Sequence, residues 1–239
     1  MVKRDLLGTK LMIMSDVGKA FNMDTVLLSD FVRIPKRTKL IMDYGTGNAA
    51  VMLYLSQRFD GELVGLELQE HRYLLALKNI ELNNLQNKIT VKNVDVKTYQ
   101  HGNRADIIVS NPPYFKVNLK TKQSIDEDMQ IAKHEIHLNL DTLIQAVRKN
   151  IKHGGLFFMV HKADRLEDIV LALNQYDFKL KRIQFVHPSV DHEPNQILIE
   201  ARFKGKGHLI VEPPLFQYKS KGVLSDQMQA IYDGRMYRK

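Results

Sequence analysis

From residue 39 onward, short apolar runs alternate with stretches whose apolar positions recur every three or four residues. Lys39 to Asp43, Glu62 to Glu67, Ile89 to Asn93, Ala105 to Val109 and Leu156 to His161 read as strands. Ala105 to Val109 is apolar enough to be buried on both faces. Between them the spacing predicts helices over 48–58, 70–83 and 165–175. On the second of these, Tyr73, Leu74, Leu77 and Ile80 share one side. Leu140, Leu143, Ile144, Val147 and Ile151 predict another helix, stopped by Gly154 and Gly155. Such alternation specifies a parallel, doubly wound α/β sheet. The last two long apolar runs, Lys181 to His187 and Gln196 to Phe203, have no helical pattern between them and read as an antiparallel hairpin. Residues 1–30 look irregular apart from a short helix beginning near Asp24. Residues 115–132 form a long polar loop after a proline pair, a length that usually signals function. A further short helix is expected over Asp226 to Ile231. This divides a single domain into a basic N-terminal segment packing on the core (1–38), a core (39–204) and a basic C-terminal extension (205–239).

Composition removes several possibilities. The 239 residues include no cysteine, which excludes disulfides, thiolate zinc sites, iron–sulfur clusters and cysteine nucleophiles. No apolar run approaches the length needed to span a bilayer, and no leader-like segment opens the chain, so a cytoplasmic protein without a membrane partner is expected. The net charge of +8 is uneven. Residues 1–42 carry eight basic and four acidic groups and residues 201–239 eight and three, whereas the middle is nearly neutral. Basic flanks either solvate the surface or form a footprint for a polyanion where the two ends meet.

Chemistry concentrates at two places. Asp43-Tyr-Gly45-Thr-Gly47-Asn-Ala49 joins a strand to a helix, and its glycines allow a sharp turn and close approach of a ligand. Glu67 ends the second strand, 24 residues after Asp43, where an acid can accept both hydroxyls of a ribose. Asp95, just past the third strand, is either an acceptor for an exocyclic adenine amine or a loop carboxylate. The second place is Ser110-Asn111-Pro112-Pro113-Tyr114, after the fourth strand. The lone pair of an adenine amine is delocalised into the ring. The Asn111 side-chain oxygen and the Pro112 carbonyl, held rigidly by proline, could take its two N–H groups and aim that lone pair at a methyl donor. Tyr114 could stack on the flipped base. The same geometry suits any planar amide or amine nitrogen.

The Asp-x-Gly-x-Gly turn and the Asn-Pro-Pro-Tyr stretch resemble motifs I and IV of class I N-methyltransferases, although Ala49 stands where these usually carry a third glycine. The wider chain is similar to the bacterial tRNA adenine-N6 methyltransferases that act on adenosine 37 beside the valine anticodon. The likeness runs through Asp5–Gly8, Phe21–Leu28, Lys133–His137, His187–Pro188 and Pro213–Leu215. The resemblance implies a Rossmann-like fold with a seven-stranded, mostly parallel sheet, S-adenosylmethionine as cofactor, and tRNA as partner. Asp43, Gly45, Gly47, Glu67, Asp95 and Thr25 would bind the cofactor. Asn111, Pro112 and Tyr114 would serve catalysis. Phe21 and Asp24 would lie with Thr25 near the cofactor's methionine end, Phe21 also facing substrate. Lys219, Lys221, Arg235 and Arg238, interleaved with tyrosines, would contact RNA or belong to a solvated tail. His134 and His137 lack a third ligand, so no metal is expected, and His187 and His192 read as loop residues. Three alternatives stay open: methylation of a glutamine amide in a protein such as a release factor, adenine-N6 methylation of ribosomal RNA or DNA, and an RNA-binding module with an inactive Rossmann site. The last must explain an intact set of motif residues.

Overall fold

The computed structural model describes residues 1–16, 23–112 and 139–234. Its centre is a sheet of β3 (Leu40–Tyr44), β4 (Glu62–Glu67), β5 (Ile89–Asn93), β6 (Ala105–Ser110), β7 (Ile151–Lys162), β8 (Phe178–His187) and β9 (Gln196–Phe203). The spatial order is β8-β9-β7-β6-β3-β4-β5, parallel except for β9, which runs antiparallel to both neighbours. The expected closing hairpin is therefore present. The seven long strands are joined by two short ones, β10 (Ile210–Val211) and β11 (Leu215–Phe216), both parallel to β8, which makes nine.

The central strands are apolar throughout because helices cover both faces. Alternate residues of β3 enter opposite cores, Ile41 on one side and Met42 and Tyr44 on the other. Helices α1 (Met23–Phe31), α2 (Ala50–Ser56) and α3 (Glu70–Leu82) cover the first face. The second is covered by α4 (Leu140–Asn150) and α5 (Leu166–Gln175). The α4 helix ends four residues before the glycine pair that was expected to stop it. Gly154 and Gly155 instead lie within β7, where Ala105 pairs with Ile151 but Ile107 with Leu156, so that three extra residues bulge out. Gly154, at φ +77°, supplies the turn.

The N-terminal segment is more ordered than its sequence suggests. β1 (Val2–Asp5) and β2 (Met12–Ser15) form a hairpin. The backbone of β2 docks on two side chains of α3. Asn83 accepts from the Met12 N–H (2.8 Å) and Asn79 from that of Met14 (2.7 Å), and each amide returns an N–H to the same residue's carbonyl. The buried face of α3 is accordingly Leu75, Ala76, Asn79 and Ile80, while Leu74 and Leu77 face solvent. The two ends of the chain meet. A Cβ on Gly8 would lie 2.7 Å from the backbone nitrogen of Gly234, just past the helix α6 (Asp226–Tyr232), so only glycine fits this contact.

Helix α1 is pinned at its C-terminal end by two arginines. Arg58 of α2 donates to the carbonyls of Val32 (2.8 Å) and Ser29, and Arg182 of β8 to that of Phe31 (2.6 Å). These would otherwise be orphan carbonyls at a buried helix end. Arg182 is 1% exposed, lies 3.6 Å from the centroid of the Phe31 ring, and pairs with Glu200 at 2.7 Å. No pattern in the sequence marks it as a core residue.

Candidate active site

The carboxyl ends of β3, β4, β5 and β6 lie side by side, and each delivers one part of the site. Tyr44 at the end of β3 pairs with Ser110 at the end of β6, whose hydroxyl donates to the Tyr44 carbonyl at 2.9 Å. Gly45 and Asn111 therefore leave adjacent strands next to one another.

The glycine turn is built for close approach. Gly45 (φ +73°) and Gly47 (φ +60°) occupy the left-handed region, and a Cβ on Gly45 would meet nothing within 4 Å. Ala49 also sits there (φ +67°), an alanine in a conformation that glycine adopts more easily. Glu67 closes the turn from β4, one carboxylate oxygen accepting from the Gly47 N–H (2.8 Å) and the other from that of Gln69 (2.9 Å). A carboxylate offers about four acceptor positions, so two remain for ligand hydroxyls. Beneath the turn, Asp43 is 2% exposed and accepts from the Thr46 hydroxyl at 2.7 Å. Burial pushes its carboxyl up to about 7, helped by the negative charge of Glu67 and opposed by the Thr46 hydrogen bond.

The other expected residues divide into three groups. Asp95 caps its own turn, one oxygen accepting from the Lys97 N–H (2.9 Å) and the other paired with the Lys97 ammonium (3.2 Å). Thr25, buried in the first turn of α1, meets Asn111, whose side-chain amide donates to its hydroxyl at 3.3 Å. Lys219 and Lys221 lie away from this cluster on a short hairpin, β12 (Tyr218–Ser220) and β13 (Val223–Leu224). Lys219 pairs there with Asp226 at 3.1 Å. Phe21, Tyr114, His134, His137, Arg235, Arg238 and the loop 115–132 lie outside the described residues.

Two contributors were not evident from sequence. Asn93 donates to the carbonyls of Glu67 and Leu68 and so fixes the turn that presents Glu67. Gln196 of β9 donates to the carboxylate of the buried Asp24 and accepts from Gln217 at 3.2 Å. Both residues are polar at strand ends, where no periodicity distinguishes them from loop residues. Among the described residues no group of three acidic or histidine side chains could hold a metal, and no helix is long and apolar enough to cross a membrane.

Such a sheet order, with an open glycine turn after the first parallel strand and an acid ending the second, defines a class I S-adenosylmethionine-dependent methyltransferase. The residues fit that cofactor. The space above Gly45, the spare acceptors of Glu67 and the carboxylate of Asp43 match a close backbone approach, a ribose and a cationic amino acid end. A family profile described as "Methyltransferase small domain" matches residues 19–172, and the chain belongs to that family. It is 29% identical over 204 residues to the tRNA1(Val) (adenine(37)-N6)-methyltransferase of Bacteroides thetaiotaomicron, covering 83% of this chain and 84% of the relative. The protein of the same name from Parabacteroides distasonis is 30% identical over 179 residues, 74% of either chain. A predicted O-methyltransferase from Agrobacterium tumefaciens superposes with a TM-score of 0.69 over 90% of this chain and 98% of that one. At 18% identity this likeness speaks for the fold alone.

Proposed function

We propose that this methyltransferase modifies the N6 amine of an adenine in tRNA, adenosine 37 beside the valine anticodon. The observation that carries the reading is the placement of Asn111 and Pro112 at the end of β6, directly beside the glycine turn at the end of β3. The curated relatives named above, similar over three quarters or more of this chain's length, supply the nucleic acid and the atom. The work would fall in the compartment that holds tRNA, the cytoplasm.

S-adenosylmethionine supplies an electrophilic methyl group when bound. Gly45 and Gly47 let the backbone reach the cofactor, Glu67 takes the ribose hydroxyls, and Asp95 offers an acceptor to the adenine amine of the cofactor. The charge of Asp43 faces the cationic end. On the substrate side, the Asn111 oxygen and the Pro112 carbonyl accept the two N–H groups of the target amine and turn its lone pair towards the methyl group. Tyr114 and Phe21 flank the flipped base. No strong base is needed, since the amine proton leaves after the methyl has arrived. Catalysis then rests on positioning and on preorganised acceptors. Lys219, Lys221, Arg235 and Arg238 would hold the phosphates.

The test is methyl transfer from labelled cofactor to four acceptors in parallel: total tRNA, RNA without tRNA, DNA and a release factor. Label entering tRNA alone is expected. Label in the release factor would favour the glutamine-amide reaction, and label in none would favour an inactive binding module.

A further inference from the structure

Helix α1 is held at both ends against the β8–β9 hairpin. At its C-terminal end Arg182 of β8 takes the Phe31 carbonyl and stacks on the Phe31 ring. At its N-terminal end Gln196 of β9 donates to Asp24, and Gln217 donates in turn to Gln196. Every residue from Asp24 to Phe31 is buried. The one side chain of this helix shown bonded to Asn111 is Thr25, whose hydroxyl takes the Asn111 amide N–H at 3.3 Å, near the long end for such a bond.

That contact bears on chemistry because an asparagine amide has two unlike ends. Its terminal torsion is broad and roughly two-fold, so packing alone discriminates poorly between them. With the nitrogen turned to Thr25, the oxygen points the other way and is available as an acceptor. Turned over, the amide would aim two donors at an amine that itself offers donors.

We propose that Thr25 is a positioning residue for Asn111: presented by a helix fixed at both ends, its hydroxyl selects the amide orientation that offers oxygen to the methyl-accepting nitrogen. The proposal rests on the functional reading above and gives Thr25 a task other than the cofactor contact expected from sequence.

The experiment compares wild type, Thr25→Val, Thr25→Ser, Asn111→Ala and the Thr25→Val/Asn111→Ala pair. It measures kcat and KM on tRNA, cofactor affinity by calorimetry, and the melting temperature. Valine keeps the shape and removes the hydroxyl. Thr25→Val should lower kcat by roughly 10- to 100-fold, the scale on which small misplacements act. Cofactor affinity and KM should stay within about twofold, as befits a group that acts on the transition state. Thr25→Ser should restore most of kcat, which a purely structural role for the threonine methyl would not allow. In the Asn111→Ala background the Thr25→Val loss should vanish, since the two act as one unit. An unaltered kcat, a loss carried by cofactor affinity, or a loss that persists without Asn111 would each overturn the proposal. The side-chain amide resonances of Asn111 give a readout that needs no turnover: they should shift in Thr25→Val and not in Thr25→Ser. If wild type methylates no tRNA, the functional reading fails, and the resonances still decide the role of Thr25.

Discussion

Replacing Asp43 by asparagine should make the ligand-free protein more stable, by an amount set by pH. The carboxyl is buried, and its ionisation is displaced from 3.8 to about 7. Sign and window follow from proton linkage. Between these values the folded state holds a proton that the unfolded chain has released, so wild-type stability falls as pH rises, by about 1.4 kcal/mol per pH unit for one group. The accumulated cost reaches a ceiling of about 4 kcal/mol above pH 7. Asparagine escapes this cost and keeps an oxygen for the Thr46 hydroxyl, but its amide N–H groups lack an assured acceptor, at about 1–2 kcal/mol. The variant should therefore gain about 2–3 kcal/mol at pH 8 and nothing at pH 4. His161 complicates the wild-type profile. Burial first, then the charge of Arg165, depresses its ionisation to about 4, so it removes stability as pH falls below 6.5, the opposite sense. Urea unfolding of both proteins across pH 4 to 8.5, read as a difference, cancels that contribution. A gain independent of pH, or a variant less stable at pH 8, would refute the burial argument. Cofactor affinity should fall in the same variant, an example of stability given up for function. Wild-type binding near pH 6 should release protons, detectable by calorimetry in buffers of different ionisation enthalpy.

Three further outcomes are expected. Glu67→Ala should weaken cofactor binding by about 1–3 kcal/mol, because it removes both the ribose acceptors and the bond to Gly47 that shapes the turn; unchanged affinity by calorimetry would contradict the assignment. Arg182→Met should cost about 3–5 kcal/mol in chemical unfolding, since Glu200 is left without its buried partner and a helix carbonyl without its donor; a cost below about 1 kcal/mol would show that the cluster is dispensable. Neutralising Lys219, Lys221, Arg235 and Arg238 together should weaken tRNA binding and flatten its dependence on salt without changing cofactor affinity, and an unaltered slope would reduce the tail to solvated surface.

The parts of the site that share a short stretch of chain were legible in the sequence. Asp43, Gly45 and Gly47 lie within one turn, and the acid ending the next strand follows at a fixed spacing, because a parallel βαβ unit has a fixed length. The fold class followed from the same alternation. Residues that work through partners distant in sequence were not legible. Asn79 and Asn83 are polar and four apart, which reads as a solvated helix face; they are inward because they pair with the edge of β2, and this reversed the predicted face of α3. Arg182 reads as an exposed strand position until Glu200, Glu212 and the Phe31 ring surround it. Gly154 and Gly155 carry a helix-stop signal, yet the same torsional freedom serves a bulge in the following strand. Gly8 and Gly234 have meaning only together.

The account stands most directly on the identity of the methylated atom. Total tRNA from cells lacking this activity, incubated with the protein and labelled cofactor, digested to nucleosides and resolved by mass spectrometry, should yield N6-methyladenosine as the single labelled product. Asn111→Ala should yield none while binding cofactor as wild type does. Label on another nucleoside, on a protein glutamine, or full yield from Asn111→Ala would contradict the claim that Asn111 and Pro112 present an adenine amine to the methyl group.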